Sequence, residues 1–318
     1  MASQPPAALI FNPNAGHKLG LTTNAGGPHE VQQALRAAGV AFEPRPTEYA
    51  GHATKLAWAA VAAGHRLVIA AGGDGTVGEV AQALAGTDAV LGVMPLGSIM
   101  NVARTLCIPR DLMAAARLIA GGEVLAMDLG KVGHIYFLEA GGVGLAAGLF
   151  GYFEQLDARG LRLRTLQGLL RFVHDLGTPR LLVEADGRAR QVRAPMVTVA
   201  NSPFVGAAYA LAPDARIDDG LLDVVIFRGL GVLRILAHLL AVFGGRRLPP
   251  PPGTITLRAH SVRVSLVNRH RRPLPVHADG DAVGITPAQF EIAPGALRVL
   301  VGRPDEGTPC SWRPTAAP

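Results

Sequence analysis

The apolar run Leu67-Val68-Ile69-Ala70-Ala71 passes directly into Gly72-Gly73-Asp74-Gly75-Thr76-Val77-Gly78-Glu79-Val80, and no other stretch of the chain constrains its fold as tightly. That order reads as a buried strand, a glycine turn and the start of a helix. Three glycines within four residues remove the Cβ atoms that would hold a phosphate off the backbone. A helix N-terminus behind them offers N–H donors and the positive end of a dipole, so the stretch reads as a loop for nucleotide phosphate. It is neither of the two common phosphate motifs: no G-x-x-x-x-G-K-[ST] occurs, and the G-x-G-x-x-G spacing is not met. Asp74 stands where those loops hold a neutral residue, a place suited to orienting Mg²⁺-bound water or a substrate hydroxyl. The same residues also suit a bare β-to-α turn with Asp74 as N-cap.

At 318 residues, 49% hydrophobic and 17% charged, the chain is long enough for two domains and apolar enough to bury their cores. Its 39 glycines and 24 prolines are scattered, which excludes a collagen-like or low-complexity chain. No basic residue precedes the apolar run 7–11, so a signal peptide is not expected. The longest apolar candidate, 230–243, is broken by Arg234 and His238 and falls short of the roughly 18 to 20 residues of a membrane span. A cytoplasmic protein, peripheral to membrane at most, is therefore expected, and Cys107 and Cys310, too few for a disulfide framework, are expected to be reduced. The net charge of +6 favours acidic partners such as nucleotides or an anionic membrane surface. Nucleic acid is disfavoured, because aromatic residues make up only 5% and do not interleave with basic ones.

Over residues 1–125 short apolar runs (8–11, 41–43, 67–71, 90–94) alternate with helical patterns (28–38, 51–63, 76–84, 101–106, 112–119). This is the rhythm of an α/β domain with a mostly parallel sheet, whose ligands bind beyond the carboxyl ends of the strands. Three loops follow strand runs and converge on that rim: Asn12-Pro13-Asn14-Ala15-Gly16, the glycine loop, and Pro95-Leu96-Gly97-Ser98. Residues 126–302 turn β-rich, with strands expected at 126–132, 134–139, 180–185, 196–200, 222–227, 254–257, 262–267 and 297–301, the spacing of a sandwich. Helical patterns at 146–176 and 231–243 interrupt it, a polyproline connector occupies 249–252, and 303–318 reads as a tail.

Asn12-Pro13-Asn14-Ala15-Gly16, Gly-Gly-Asp-Gly-Thr at 72–76, Pro95-Leu96-Gly97-Ser98 and Asp279-Gly280-Asp281, in this order, resemble the diacylglycerol kinase catalytic family, which includes bacterial soluble lipid kinases and sphingosine kinases. The resemblance runs from about residue 7 to residue 302. It implies α/β plus β architecture: an N-terminal α/β domain similar to NAD kinases and phosphofructokinases, a C-terminal β-sandwich, and ATP in the cleft between them. Carried over by position, Asn12, Pro13, Asn14, Ala15, Gly16, Thr47, Gly72, Gly73, Asp74, Gly75, Thr76, Glu79, Ser98 and Asn101 would line the ATP site. Backbone N–H groups of 73–76 suit phosphate oxygens, Thr47 and Ser98 supply hydroxyls, and the Asn12 amide suits a loop-fixing role.

Transfer to a lipid hydroxyl needs an acid to take the hydroxyl proton and Mg²⁺ to neutralise the phosphoryl oxygens. Asp279 and Asp281, joined by Asp74, are the candidates; two apart on an extended segment, Asp279 and Asp281 would face the same side, while the same residues also suit an Asp- and Gly-rich β-turn. The family's motif usually ends in Glu, and Asp281 is one methylene shorter. Where the family commonly has an Asn-Asp pair after the Gly-Thr loop, this chain has Met100-Asn101, a departure that also leaves room for a catalytically weak binding protein. A soluble alcohol or dinucleotide is the alternative acceptor. The resemblance also implies a structural Mg²⁺ held by the Asp219 carboxylate and the carbonyls of Arg216 and Leu221, in a segment that equally suits an acidic turn. Bulky apolar residues with interspersed arginines over 145–176 suit a membrane surface or a buried helix pair, with Arg246-Arg247 and 269–272 as further basic clusters. Among the histidines, His52, His65 and His277 are expected at the surface or as caps, with His277, two residues before Asp279, the one to examine for a role in the site. A homodimer is the assembly to test.

Overall fold

The computed structural model describes residues 5–15, 17–18, 21–22, 26–148, 177–205, 209–228, 253–268 and 270–303. Gly16, the patterns read at 149–176 and 231–243, Arg246-Arg247, the polyproline 249–252, Arg269 and the tail beyond 303 lie outside them. The chain divides into two units: Met1–Leu129 with the chain from Pro294 onward, and Gly130–Ala293.

In the first unit β1 (Ala7–Phe11), the short pair β2 (His17–Lys18) and β3 (Leu21–Thr22), α1 (Pro28–Ala37), β4 (Phe42–Pro46), α2 (His52–Ala62), β5 (Leu67–Gly72), α3 (Asp74–Leu84), β6 (Val90–Pro95), α4 (Asn101–Thr105) and α5 (Leu112–Gly121) follow in order. Helix α1 starts where Pro28 needs no N–H partner and the Glu30 carboxylate accepts the Gly27 N–H at 2.8 Å; Val31, Ala34 and Leu35 form its buried stripe. Asp111 caps α5 by accepting from Ala114 N at 2.8 Å. The strands are parallel in the order β4-β1-β5-β6, and β5 is buried along nearly its whole length, which is why it reads as a continuous apolar run. The helices pack as two pairs, α2 with α3 and α1 with α5.

The second unit carries β7 (Glu123–Val132, whose first residues belong to the first unit), β8 (Ile135–Phe137), β9 (Ala140–Gly144), β10 (Arg180–Ala185), β11 (Arg188–Arg193), β12 (Met196–Ala200), β13 (Phe204–Val205), β14 (Tyr209–Ala210), β15 (Leu222–Phe227), β16 (Ile255–Ala259), β17 (Ser261–Leu266), β18 (Pro275–Ala278), β19 (Asp281–Ile285) and β20 (Ala288–Val301). One antiparallel sheet runs β16-β15-β12-β9-β18-β19; another set, β11-β10-β17, continues into the first residues of β20. Their apolar faces share one core that includes Phe137, Val143, Val197, Val224, Val264 and Phe290. Phe137 and Phe290 meet edge-on at 6.3 Å between ring centroids.

Three expectations need correction. The strand expected at 297–301 is the end of β20, and its Arg298 and Val299 pair in parallel with Val90 and Leu91 of β6, so the chain returns to the first unit instead of closing the second domain at 302. Cys107, at φ 56°, is disulfide-bonded and not a reduced thiol; a low cysteine count excludes a framework but not a single bridge. His65 and His277 are buried, not surface residues. No helix among the described residues is long and apolar enough to cross a membrane.

Candidate active site

The carboxyl ends of β1, β4, β5 and β6 open onto a cleft of about 580 Å³, lined by Asn12, Asn14, Ala15, Thr47, Glu48, Tyr49, Ala50, Gly73, Asp74, Gly75, Thr76, Glu79, Gly97, Ser98 and Ile99. Each wall has a local cause. After β1, the Asn12 side chain accepts from Asn14 N at 2.9 Å and its carbonyl from Ala15 N at 3.0 Å, an Asx turn that shapes the loop. After β4, Thr47 N donates to Phe11 O at 2.8 Å, anchoring that hydroxyl beside β1. After β5, Gly73 is the N-cap of α3 in extended backbone, and Asp74 is the helix's first residue, not its cap. A Cβ on Gly72 would lie 2.5 Å from Thr76 Oγ1, which is why the turn needs glycine there.

Asp74 instead caps the neighbouring helix. Its Oδ1 accepts from Val102 N at 3.1 Å, and the amides of Met100 and Asn101 add to the same carboxylate at the start of α4. Burial pushes its carboxyl upward, opposed by those three amides and by the Arg110 charge. Glu79 is spent on positioning: Oε1 accepts Gly51 N at 2.8 Å and Oε2 accepts Ala53 N at 3.0 Å, fixing the N-terminus of α2 and with it the wall 48–50. On that wall the Tyr49 ring stacks on His52 at 4.6 Å with an interplanar angle of 4°.

Of the residues expected at the nucleotide site, the cleft brings together Asn12, Asn14, Ala15, Thr47, Gly73, Asp74, Gly75, Thr76, Glu79 and Ser98. Pro13 and Gly72 belong to the same loops but are not part of the lining; Asn101 is buried at the start of α4 and acts on Asp74 through its backbone. Glu48, Tyr49, Ala50 and Ile99 were missed, although all lie within three residues of Thr47 or Ser98, and Gly97 was named only as part of its loop.

In the second unit, Asp279 and Asp281 do not share an extended segment. Asp279 and Gly280, at φ 46° and 100°, form the two-residue turn of the β18–β19 hairpin, and Asp281 opens β19. The Asp279 carboxylate reaches back to one backbone run, accepting from Leu138 N at 2.7 Å on Oδ2 and from Glu139 N and Ala140 N at 2.8 and 3.0 Å on Oδ1. Asp281 is exposed. His277 is buried beneath this turn, its imidazole pushed down to about 4 by burial, and therefore neutral.

In the segment expected to hold a structural Mg²⁺, the Asp219 carboxylate is already engaged. Asp219 Oδ1 accepts Leu221 N at 3.1 Å, its Oδ2 pairs with the Arg258 guanidinium, and Arg216 is turned to Asp218 at 3.0 and 3.1 Å. A guanidinium thus neutralises the one carboxylate of the set.

The first unit is a parallel α/β unit with a Gly-Gly-Asp-Gly-Thr loop at its carboxyl rim, and the second is built of antiparallel sheets around one core. Residues 6–132 match the diacylglycerol kinase catalytic domain, and residues 149–301 match the YegS C-terminal NAD kinase beta sandwich-like domain. Over 296 residues the chain is 30% identical to the diacylglycerol kinase of Bacillus subtilis (strain 168), spanning 89% of this chain and 92% of that protein. It is 28% identical over 297 residues to the diacylglycerol kinase of Staphylococcus aureus (strain JH9), spanning 89% and 88%. The crystal structure of a putative diacylglycerol kinase from Bacillus anthracis str. Sterne, 25% identical, superposes with a TM-score of 0.72 over 93% of this chain and 97% of that one. The chain belongs to the diacylglycerol kinase family, and by that membership it is a lipid-kinase-type enzyme.

Proposed function

We propose that this protein is an ATP-dependent lipid kinase that transfers the γ-phosphoryl group of ATP to a hydroxyl of diacylglycerol or a related lipid such as a sphingoid base. The observation that carries the reading is the cleft of the first unit, where the glycine loop, the N-terminus of α3 and the hydroxyls of Thr47, Thr76 and Ser98 line one space. Backbone amides there hold the phosphates. Of the carboxylates lining the cleft, Asp74 is engaged by α4 amides and Glu79 by α2 amides; Mg²⁺ brought with the nucleotide would be held through Asp74, with Glu48 the third carboxylate of the lining. When bound, the ion neutralises charge on the transferred group.

Asp281 takes the proton. Asp279 spends its carboxylate on three backbone amides and serves to hold the hairpin, which leaves Asp281, the first residue of β19, as the acid of this pair assigned to the proton. As the lipid oxygen forms its bond to the γ-phosphorus, the bond from that phosphorus to the β,γ-bridging oxygen breaks, ADP leaves, and the hydroxyl proton passes to the Asp281 carboxylate. The net charge of +6 supports work at an anionic membrane surface from the cytoplasmic side.

Radiolabel transfer from γ-labelled ATP to dioleoylglycerol and sphingosine in mixed micelles tests the assignment. Asp281→Asn is expected to lose roughly 10²- to 10⁴-fold in kcat with an unchanged melting temperature, as for loss of a general base. Asp279→Ala is expected to lower the melting temperature, by about 2 to 4 kcal/mol of stability for three orphaned amides. Full activity in Asp281→Asn would remove it from the mechanism; label on a soluble alcohol but on neither lipid would replace the lipid acceptor.

A further inference from the structure

Between α4 and α5 the chain places Arg110 immediately before Asp111, the cap of α5. Its guanidinium donates to the Gly97 carbonyl through Nη2 and to the Ser98 carbonyl through both Nη1 and Nη2, each at 3.0 Å. Two successive carbonyls of the β6–α4 loop are thus tied to one planar cation. In a trans peptide the N–H points opposite to the C=O. Pulling the carbonyls of Gly97 and Ser98 to one side therefore turns the N–H groups of Ser98 and Ile99 to the other. Gly97, Ser98 and Ile99 line the cleft, and neither of those two amides donates to an acceptor among the described residues. The same charge acts on Asp74, whose carboxylate anchors the far end of this loop at the start of α4.

We infer that Arg110 is a positioning residue for nucleotide phosphate: it presets two peptide planes so that the Ser98 and Ile99 amides and the Ser98 hydroxyl are presented together to the phosphate chain. The inference rests on the nucleotide reading of the cleft given above. A guanidinium suits the task because its fork is rigid, whereas the ammonium of lysine is a point charge that holds neither plane. Arg110 is exposed and helix α5 keeps its own cap at Asp111, so the side chain is not needed to hold the fold.

The test compares ATP with adenosine, which lacks phosphate, on the full chain. ATP affinity is measured by calorimetry and adenosine by saturation-transfer NMR, for the wild type, Arg110→Met and Arg110→Lys. Arg110→Met is expected to weaken ATP about tenfold, equivalent to ~1.4 kcal/mol, with adenosine unchanged. Arg110→Lys is expected to fall between. Equal weakening of both ligands would make Arg110 a general structural contact and overturn the inference, as would unchanged ATP binding in Arg110→Met. Should Arg110→Met not fold, Arg110→Gln carries the same comparison. A wild type that binds neither ligand would overturn the nucleotide reading itself, and the inference with it.

Discussion

Gly97 and Gly73 come so close that a Cβ on Gly97 would lie 2.7 Å from Gly73 Cα and 2.7 Å from Met100 Sδ. The loops after β5 and β6 are in contact through backbone, which places the two amide-bearing walls of the cleft side by side. Gly97→Ala is expected to cost about 1 to 3 kcal/mol of overpacking and to weaken ATP binding, read by melting temperature and calorimetry together. Binding unchanged in that variant would mean that the loops do not act as one wall. Met100, at φ 54°, sits in a left-handed conformation that suits Asn better than Met, which accounts physically for the Asn of the family pattern. Sequence alone shows Met100-Asn101 as a departure that leaves room for a catalytically weak protein. Yet Asp74 is served by the backbone amides of 100–102, which any side chain leaves in place. Arg110 was illegible for a similar reason: its partners are carbonyls, and carbonyls have no letter in a sequence.

At the scale of elements, β10, β12 and β15 stand at the expected bounds, apolar runs that were read correctly as strands. Strand β9, Ala-Gly-Gly-Val-Gly, was not, because its glycines answer to packing and not to propensity. A Cβ on Gly141 would lie 2.7 Å from the Phe290 ring, and one on Gly142 lies 2.7 Å from His277 Nε2. At Asp279-Gly280-Asp281 the extended reading gives way to its alternative, a turn, which joins β18 and β19 as a hairpin, in keeping with Asp-Gly as a turn signal. Two elements of the six-stranded sheet carry opposed titrations. On β15, burial pushes the Asp223 carboxyl from 3.8 up to about 6 against the pull of Arg258, with Asp219 and Asp214 adding to the rise. On β18, burial pushes His277 from 6.5 down to about 4. The share from Asp223 is full below 3.8 and lost as pH rises through about 6; the share from His277 is full above 6.5 and lost as pH falls through about 4. The two slopes offset each other in the wild type. Asp223→Asn is expected to raise the melting temperature at neutral pH and to steepen its decline on acidification, measured by calorimetry across that window; an unchanged pH profile would contradict the buried-carboxyl assignment.

For the molecule as a whole, the order of loops along the chain was the legible part. The βα rhythm of the first 125 residues placed three loops on one rim, and residues of all three line the cleft. The return of the chain from Pro294 was not legible, since one strand, β20, serves both units and a continuous strand carries no mark of a boundary. The acceptor lies furthest from the residues, because a hydroxyl is recognised by whatever surrounds it, and residues 149–176 and 229–252 lie outside those described. The most direct measurement is therefore of the product. Wild-type protein, ATP, Mg²⁺ and dioleoylglycerol in mixed micelles are followed by ³¹P NMR. The account predicts a lipid phosphomonoester signal growing in step with ADP. ADP appearing with inorganic phosphate alone, or no consumption of ATP, would contradict it.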